Sequence, residues 1–192
     1  MMDEILNLEK KATQIRLDAL KAIFNADSGC SGSCMSVVEI LVSLYYGELY
    51  GKPVFNCDPS IPGWGGQDYF VLSKSKAAPT LYSILADKGF FDKSELDFLG
   101  KPNSLLTHKP NYKIPGISSS IFSYGHGLSI GLGMALSLKM DRKKNKVFVL
   151  LGDGELQDGQ IWEAAMAASQ YNLSNLILFV DNNKVQGNGL IS

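Results

Sequence analysis

Two runs of five apolar residues, Val147-Phe148-Val149-Leu150-Leu151 and Leu176-Ile177-Leu178-Phe179-Val180, constrain this chain more than any other feature of it. Neither run alternates with polar residues. A strand without a polar face is buried on both sides, which is the pattern of a parallel sheet between covering layers. Between the runs, Ile161, Ala164, Ala165, Ala168 and Tyr171 recur at helical spacing. Strand, helix, strand predicts a βαβ unit with both strands in one sheet. The expected fold class is therefore α/β, an open parallel sheet flanked by helices on both faces.

The rest of the chain supplies further helices and one more strand. Ile5, Leu8, Ala12, Ile15, Ala19 and Ala22 form one apolar stripe and predict a first helix ending near Asn25. A second helix is expected from Ser36, whose spacing to Glu39 is that of a capping box, with Val37, Ile40, Leu41, Leu44 and Tyr45 on one face. Tyr69-Phe70-Val71-Leu72 reads as a short strand. Pro79 suits the first turn of a helix running to about Lys88 and stopped by Gly89. Ser94 to Leu99 predicts a further short helix, and residues 51–66 and 100–124 read as loops. A helix from Gly127 to Met140 contains Gly131 and Gly133. Interior glycines cost about 0.5–1 kcal/mol each, so they predict close packing against another helix or a backbone that approaches a ligand.

Composition narrows the function. The 192 residues carry 18 Lys and Arg against 19 Asp and Glu, so no basic surplus points to nucleic acid. With 45% hydrophobic and 19% charged residues, a large core is expected rather than disorder. No apolar run is long enough for a membrane span, and the charged, amphipathic N-terminus does not read as a signal peptide. Cys30, Cys34 and Cys57 make no disulfide framework, and Cys30 with Cys34 lacks the remaining ligands of a zinc site. These features predict one domain over residues 1–192 in a reducing cytoplasm.

Ligands of open parallel sheets bind outside the carboxyl ends of the strands. Asp153 follows the first apolar run and Asn183 follows the second. On neighbouring strands, about 4.8 Å apart, the two can converge on one ion. A carboxylate, an amide oxygen and a backbone carbonyl form a hard-oxygen site suited to Mg²⁺, which keeps positions open for phosphate oxygens. Gly152 and Gly154 let the backbone come near those phosphates, and the following helix can offer its N-terminal N–H groups. Gly-Asp-Gly and Asn-Asn are each common turns, and only their placement at consecutive strand ends makes them a site. Neither GxGxxG nor GxxxxGK[ST] is present.

The stretch Gly152-Asp153-Gly154-Glu155-Leu156-Gln157-Asp158-Gly159-Gln160-Ile161-Trp162-Glu163-Ala164, continuing to Val180-Asp181-Asn182-Asn183, resembles the thiamine diphosphate motif of transketolases. Asp68 to Pro79, Pro115-Gly116, Gly125-His126-Gly127-Leu128-Ser129 and Met134-Ala135-Leu136 fall in the same order as in that family. The resemblance covers nearly the whole chain and implies the diphosphate-binding half of the thiamine-diphosphate fold. It implies a transferase that uses thiamine diphosphate and Mg²⁺, or another divalent cation, to move a two-carbon ketol unit between sugars. Asp153 and Asn183 would then be metal ligands, with the Val185 carbonyl as a third. Gly154 would lie against the diphosphate, and Ser123 and Tyr124 would line the cofactor cleft. Glu163, with Asp158 where the family has Glu, would belong to a carboxylate network near a dimer interface. His108 matches a histidine that faces the substrate.

Three further positions depart from the family. Cys30 stands where a substrate-contacting histidine is usual, Lys76 replaces a second histidine, and His126 replaces a glutamine. Lys76, a full charge with three donors, suits the diphosphate or an anionic substrate group, so it is expected in both catalytic and cofactor-binding roles. For Cys30 the choice lies between a substrate contact and a small packed residue. The family's activating glutamate lies in a separate pyrimidine-binding domain, for which the sequence offers no segment, and the diphosphate half itself reads as lacking its C-terminal part. Either a fragment or a split enzyme is expected, the latter with a separate C-terminal subunit in a dimer of heterodimers, acting on sugars or sugar phosphates. The departures also leave room for an unusual donor, such as a modified sugar or a 2-oxo acid, or for a non-catalytic regulatory homologue.

Overall fold

The computed structural model describes residues 2–61, 63–121, 123–187 and 189–190. The chain divides into two compact units that interleave along the sequence. One comprises Met1–Trp64, Lys76–Lys109 and Lys113–Gly116, and the other Gly65–Ser75, Pro110–Tyr112 and Ile117–Ser192.

The first unit is helical. Helix α1 (Met2–Ala26) buries Ala12, Ile15, Ala19 and Ala22, as the apolar stripe requires, while Ile5 at the head of that stripe is half exposed. Next comes a five-residue helix, α2 (Ser31–Met35), for which no expectation was drawn from the sequence, and then α3 (Val38–Tyr46). The capping box at Ser36 does not form. Ser36 ends α2, its N–H donating to Gly32 O at 3.2 Å and its hydroxyl to Ser33 O at 3.4 Å. Glu39 pairs with Arg16 instead. A small hairpin of β1 (Glu48–Leu49) and β2 (Lys52–Pro53) follows.

Helix α4 (Ala78–Asp87) has Pro79 in its first turn and is buried from Ala78 to Ala86. It stops before Gly89, whose φ of +88° a residue with a Cβ would resist. Residues Lys93–Phe98 form a 3₁₀ helix capped by Asp92, which accepts from Ser94 N at 2.8 Å. Two carboxylates tie the helices together. Asp18 pairs with Lys93 at 2.6 Å, and Asp87 accepts from Lys11 at 2.8 Å and from the Tyr46 hydroxyl at 2.5 Å.

The second unit is the expected parallel sheet with helices against it. Its elements are β3 (Tyr69–Leu72), α5 (Gly127–Met140), β4 (Val147–Gly152), α6 (Gly159–Gln170), β5 (Leu176–Asp181) and a hairpin of β6 (Val185–Gln186) with β7 (Gly189–Leu190). The sheet order is β3-β4-β5, all parallel, with Tyr69 opposite Val147, Val147 opposite Leu176, and Gly152 opposite Asp181. The central strand β4 is buried along its whole length. Val147, Val149 and Leu151 share a core with Leu128, Ala135 and Leu138 of α5 and Ile161 and Ala164 of α6.

Gly131 sits where α5 meets β4, and a Cβ there would lie 2.5 Å from Val149 Cγ2. The close approach is to the sheet rather than to another helix or a ligand. Gly133 has open space around it and serves no such contact. Among the described residues no helix is long and apolar enough to cross a membrane.

Candidate functional site

Strand β4 is central because it is wholly apolar, and it ends at Gly152 because the chain must turn there. The turn is a 3₁₀ segment, Asp153–Gln157. Asp153 is half-buried. Its Oδ1 accepts from Gly154 N at 2.9 Å and its Oδ2 from Lys184 N at 2.6 Å. The second bond draws the loop after β5 onto the end of β4. Lys184 has a φ of +59°, which bends that loop between Asn183 and Val185. Asn183 Oδ1 accepts from Val185 N at 2.9 Å, and its Nδ2 donates to Asp181 Oδ2 at 3.3 Å. Asp153, Gly154, Asn183 and Val185 therefore gather at the carboxyl ends of two adjacent strands.

The other expected residues of this unit have different surroundings. Ser123 and Tyr124 are exposed, and Tyr124 O lies 2.9 Å from His126 Nδ1. Glu163 is on the exposed side of α6. Asp158 caps α6, accepting from Gln160 N at 3.0 Å, and its carboxylate fills the space where a Cβ of Gly125 would lie. This corrects the expectation that the helix after Gly154 offers open N–H groups. A 3₁₀ turn intervenes, and the helix start already holds a carboxylate.

Sequence reasoning missed two buried side chains here. Glu155, 8% exposed, accepts from Ser73 Oγ at 2.5 Å and Gly125 N at 3.1 Å on one oxygen, and from Gly152 N at 2.8 Å on the other. One carboxylate thus joins the chain just past β3, the chain before α5 and the end of β4. Asp181, 6% exposed, forms an ion pair with Lys74. No local pattern announces either, since each role depends on residues distant in sequence.

The remaining expected residues belong to the first unit. Cys30 is half-buried at the start of α2, where its carbonyl accepts from Cys34 N at 3.1 Å. Cys34 Sγ in turn lies 3.5 Å from Lys76 O, so the positions of the two replaced histidines share one corner of that unit. Lys76 is exposed there. His108, exposed on one side, packs its ring against Gly100, where a Cβ would lie 2.3 Å from Nε2.

The donor set at the strand ends is one carboxylate, one amide oxygen and backbone carbonyls, all hard ligands. Among the described residues no three His, Cys, Asp or Glu side chains cluster around a metal position, so a thiolate or imidazole centre has no basis in them. So few protein ligands suit Mg²⁺ with phosphate oxygens completing its shell. Only the flexible side chain of Gln186 comes within 3.0 Å of a Cβ position on Gly154, so that face of the turn is closed by a movable group.

An α/β unit in which Asp153 and the Asn183–Val185 loop meet at the carboxyl ends of neighbouring parallel strands has these groups where open parallel sheets take their ligands. Residues 8–192 match the family described as transketolase, thiamine diphosphate binding domain, and the chain belongs to that family. It is 37% identical over 189 residues to one of the subunits of the apulose-4-phosphate transketolase of Phocaeicola vulgatus, covering 98% of this chain and 64% of that relative. To 6-deoxy-6-sulfo-D-fructose transketolase subunit SqwG of Clostridium sp. it is 38% identical, covering 98% and 67%. Human transketolase is 38% identical over 179 residues, but the chain spans only 28% of its length. The transketolase structure from Campylobacter jejuni superposes with a TM-score of 0.85 at 26% identity, over 93% of this chain and 28% of that one.

Proposed function

We propose that this chain is the diphosphate-binding subunit of a cytoplasmic transketolase-like transferase dependent on thiamine diphosphate and Mg²⁺. It moves a two-carbon ketol unit between sugars together with a separate subunit carrying the pyrimidine-binding domain, in a dimer of heterodimers. The observation that carries this is the meeting of Asp153 with the Asn183–Val185 loop across two neighbouring strand ends. Family membership supplies the cofactor, and the two relatives named as subunits support the division of labour.

Asp153 and Asn183 hold the cation through oxygen, joined by the Val185 carbonyl, and Gly154 keeps the turn narrow enough for phosphate to approach. Bound thiamine diphosphate supplies the carbon centre to which the two-carbon unit is attached during transfer. Ser123 and Tyr124 line the cleft, and His108, Cys30 and Lys76 face the substrate. Glu163 lies toward the interface with a second copy.

A second reading differs in the donor. Lys76 and Cys30 in place of imidazoles favour an unusual donor, such as a modified sugar or a 2-oxo acid, over the common ketose phosphates. The relatives named for apulose-4-phosphate and 6-deoxy-6-sulfo-D-fructose are in keeping with a phosphorylated or sulfonated sugar. A non-catalytic role is disfavoured by the retained Asp153 and Asn183. The test is turnover of a ketose donor with an aldose acceptor by the chain alone and with its partner subunit. Turnover is expected only with the partner, and appreciable turnover by the chain alone would refute the split arrangement.

A further inference from the structure

We infer that Asp181 is a positioning residue that fixes the metal-binding face of Asn183, and that Lys74 anchors Asp181 for this purpose. The inference rests on Asn183 being a metal ligand, as proposed above. An amide ligates a hard cation through oxygen only, so a flipped Asn183 would present NH₂ to the ion. Two contacts set its orientation. Val185 N–H donates to Oδ1 at 2.9 Å, and Nδ2 donates to Asp181 Oδ2 at 3.3 Å. An amide oxygen carries two lone pairs, so the Val185 N–H and a cation can share it.

Asp181 itself is held from across the sheet. Lys74 lies just past β3, its N–H still donating to Leu150 O at 3.1 Å, as if extending the ladder with β4. Its side chain reaches over the end of β4 to pair with Asp181 at the end of β5. It passes Gly152, where a Cβ would lie 3.5 Å from Lys74 Cδ, so a methyl would just touch it and a longer side chain would block the path. The side chains are 11% and 7% exposed. This pair stands behind a ligand of the cation rather than on the cation itself, and losing such partners typically costs 10–100-fold in metal affinity.

A buried ion pair replaced as a whole by apolar residues is often tolerated, which separates positioning from stability. The experiment titrates Mn²⁺ into the full chain with its partner subunit, under saturating thiamine diphosphate, reading free metal by electron paramagnetic resonance and melting temperature in parallel. Lys74→Met/Asp181→Leu should melt near the parent yet bind Mn²⁺ at least about 10-fold more weakly. Lys74→Met/Asp181→Asn, which can still offer an oxygen to Asn183 Nδ2, should stay within about threefold of the parent. If the leucine variant does not fold, Lys74→Met/Asp181→Ala takes its place with the same expectation. Parent-like Mn²⁺ affinity in the variant without an acceptor, or equal losses in it and the asparagine variant, overturns the positioning role. An unchanged affinity in Asn183→Ala would instead overturn the ligand assignment on which that role depends.

Discussion

Asp153 and Glu155 are two positions apart and have different tasks. Asp153 is half-buried with its oxygens on backbone N–H groups at the strand ends, while Glu155 is buried and spends both oxygens on three donors from three segments. Glu155→Ala should leave those donors unpaired at about 1–3 kcal/mol each. A loss of at least about 3 kcal/mol in urea unfolding is expected, against little loss for Asp153→Ala. The residues proposed for the metal site were legible because Asp153 and Asn183 stand just past the ends of the two apolar runs. Glu155 and Asp181 stand in the same runs of sequence but were not legible, because their partners Ser73, Gly125 and Lys74 come from elsewhere in the chain. Cys30 and Lys76 carry a residue-scale prediction about substrate. Removing one hydrogen bond to a developing charge costs about 10²–10³-fold in rate. Cys30→His/Lys76→His should therefore raise kcat/KM on a common ketose phosphate, measured with the partner subunit. A parent already as fast as that variant would assign the role to other residues.

At the scale of elements, the paired glycines of α5 give opposite expectations. Gly131→Ala places a methyl 2.5 Å from Val149 and should cost about 1–3 kcal/mol by forcing the helix off the strand. Gly133→Ala meets nothing within 4 Å and should stabilise by about 0.5–1 kcal/mol. Chemical denaturation of both variants checks the pair. The helix and its two glycines could be read from sequence, but not which glycine mattered, since that depends on which face β4 meets. The Ser36 capping box failed for a related reason. The small residues 31–35 close a helix of their own, and its last turn takes both donors of Ser36.

The link between α1, α3 and α4 at Asp87 has a pH signature. Partial burial pushes the Asp87 carboxyl up, but hydrogen bonds from Lys11 and Tyr46 and the Lys11 charge outweigh it, leaving the pKa below the ordinary value. A depressed carboxyl contributes stability above its unfolded pKa of about 3.9 and loses it as pH falls through the folded value. The stability advantage of the parent over Asp87→Asn should therefore be constant above about pH 5 and shrink below about pH 4 in thermal scans. An advantage that persisted in acid would separate Asp87 from this link.

Over the whole molecule, the open parallel sheet was legible because unbroken apolar runs leave a strand few alternatives. The interleaving of two units was not legible: the chain leaves the first unit for β3, returns for α4 and leaves again, and local periodicity is blind to such excursions. The central proposal concerns the sheet's carboxyl edge, where two neighbouring strand ends would hold one cation and, through it, a diphosphate. Calorimetry of thiamine diphosphate binding to the chain with its partner subunit, with and without Mg²⁺, tests it most directly. The parent should bind in an Mg²⁺-dependent manner. Asp153→Ala, which removes the carboxylate expected on the ion, should weaken that binding by more than Asn183→Ala does. Unchanged, Mg²⁺-dependent affinity in Asp153→Ala would contradict the assignment of this site.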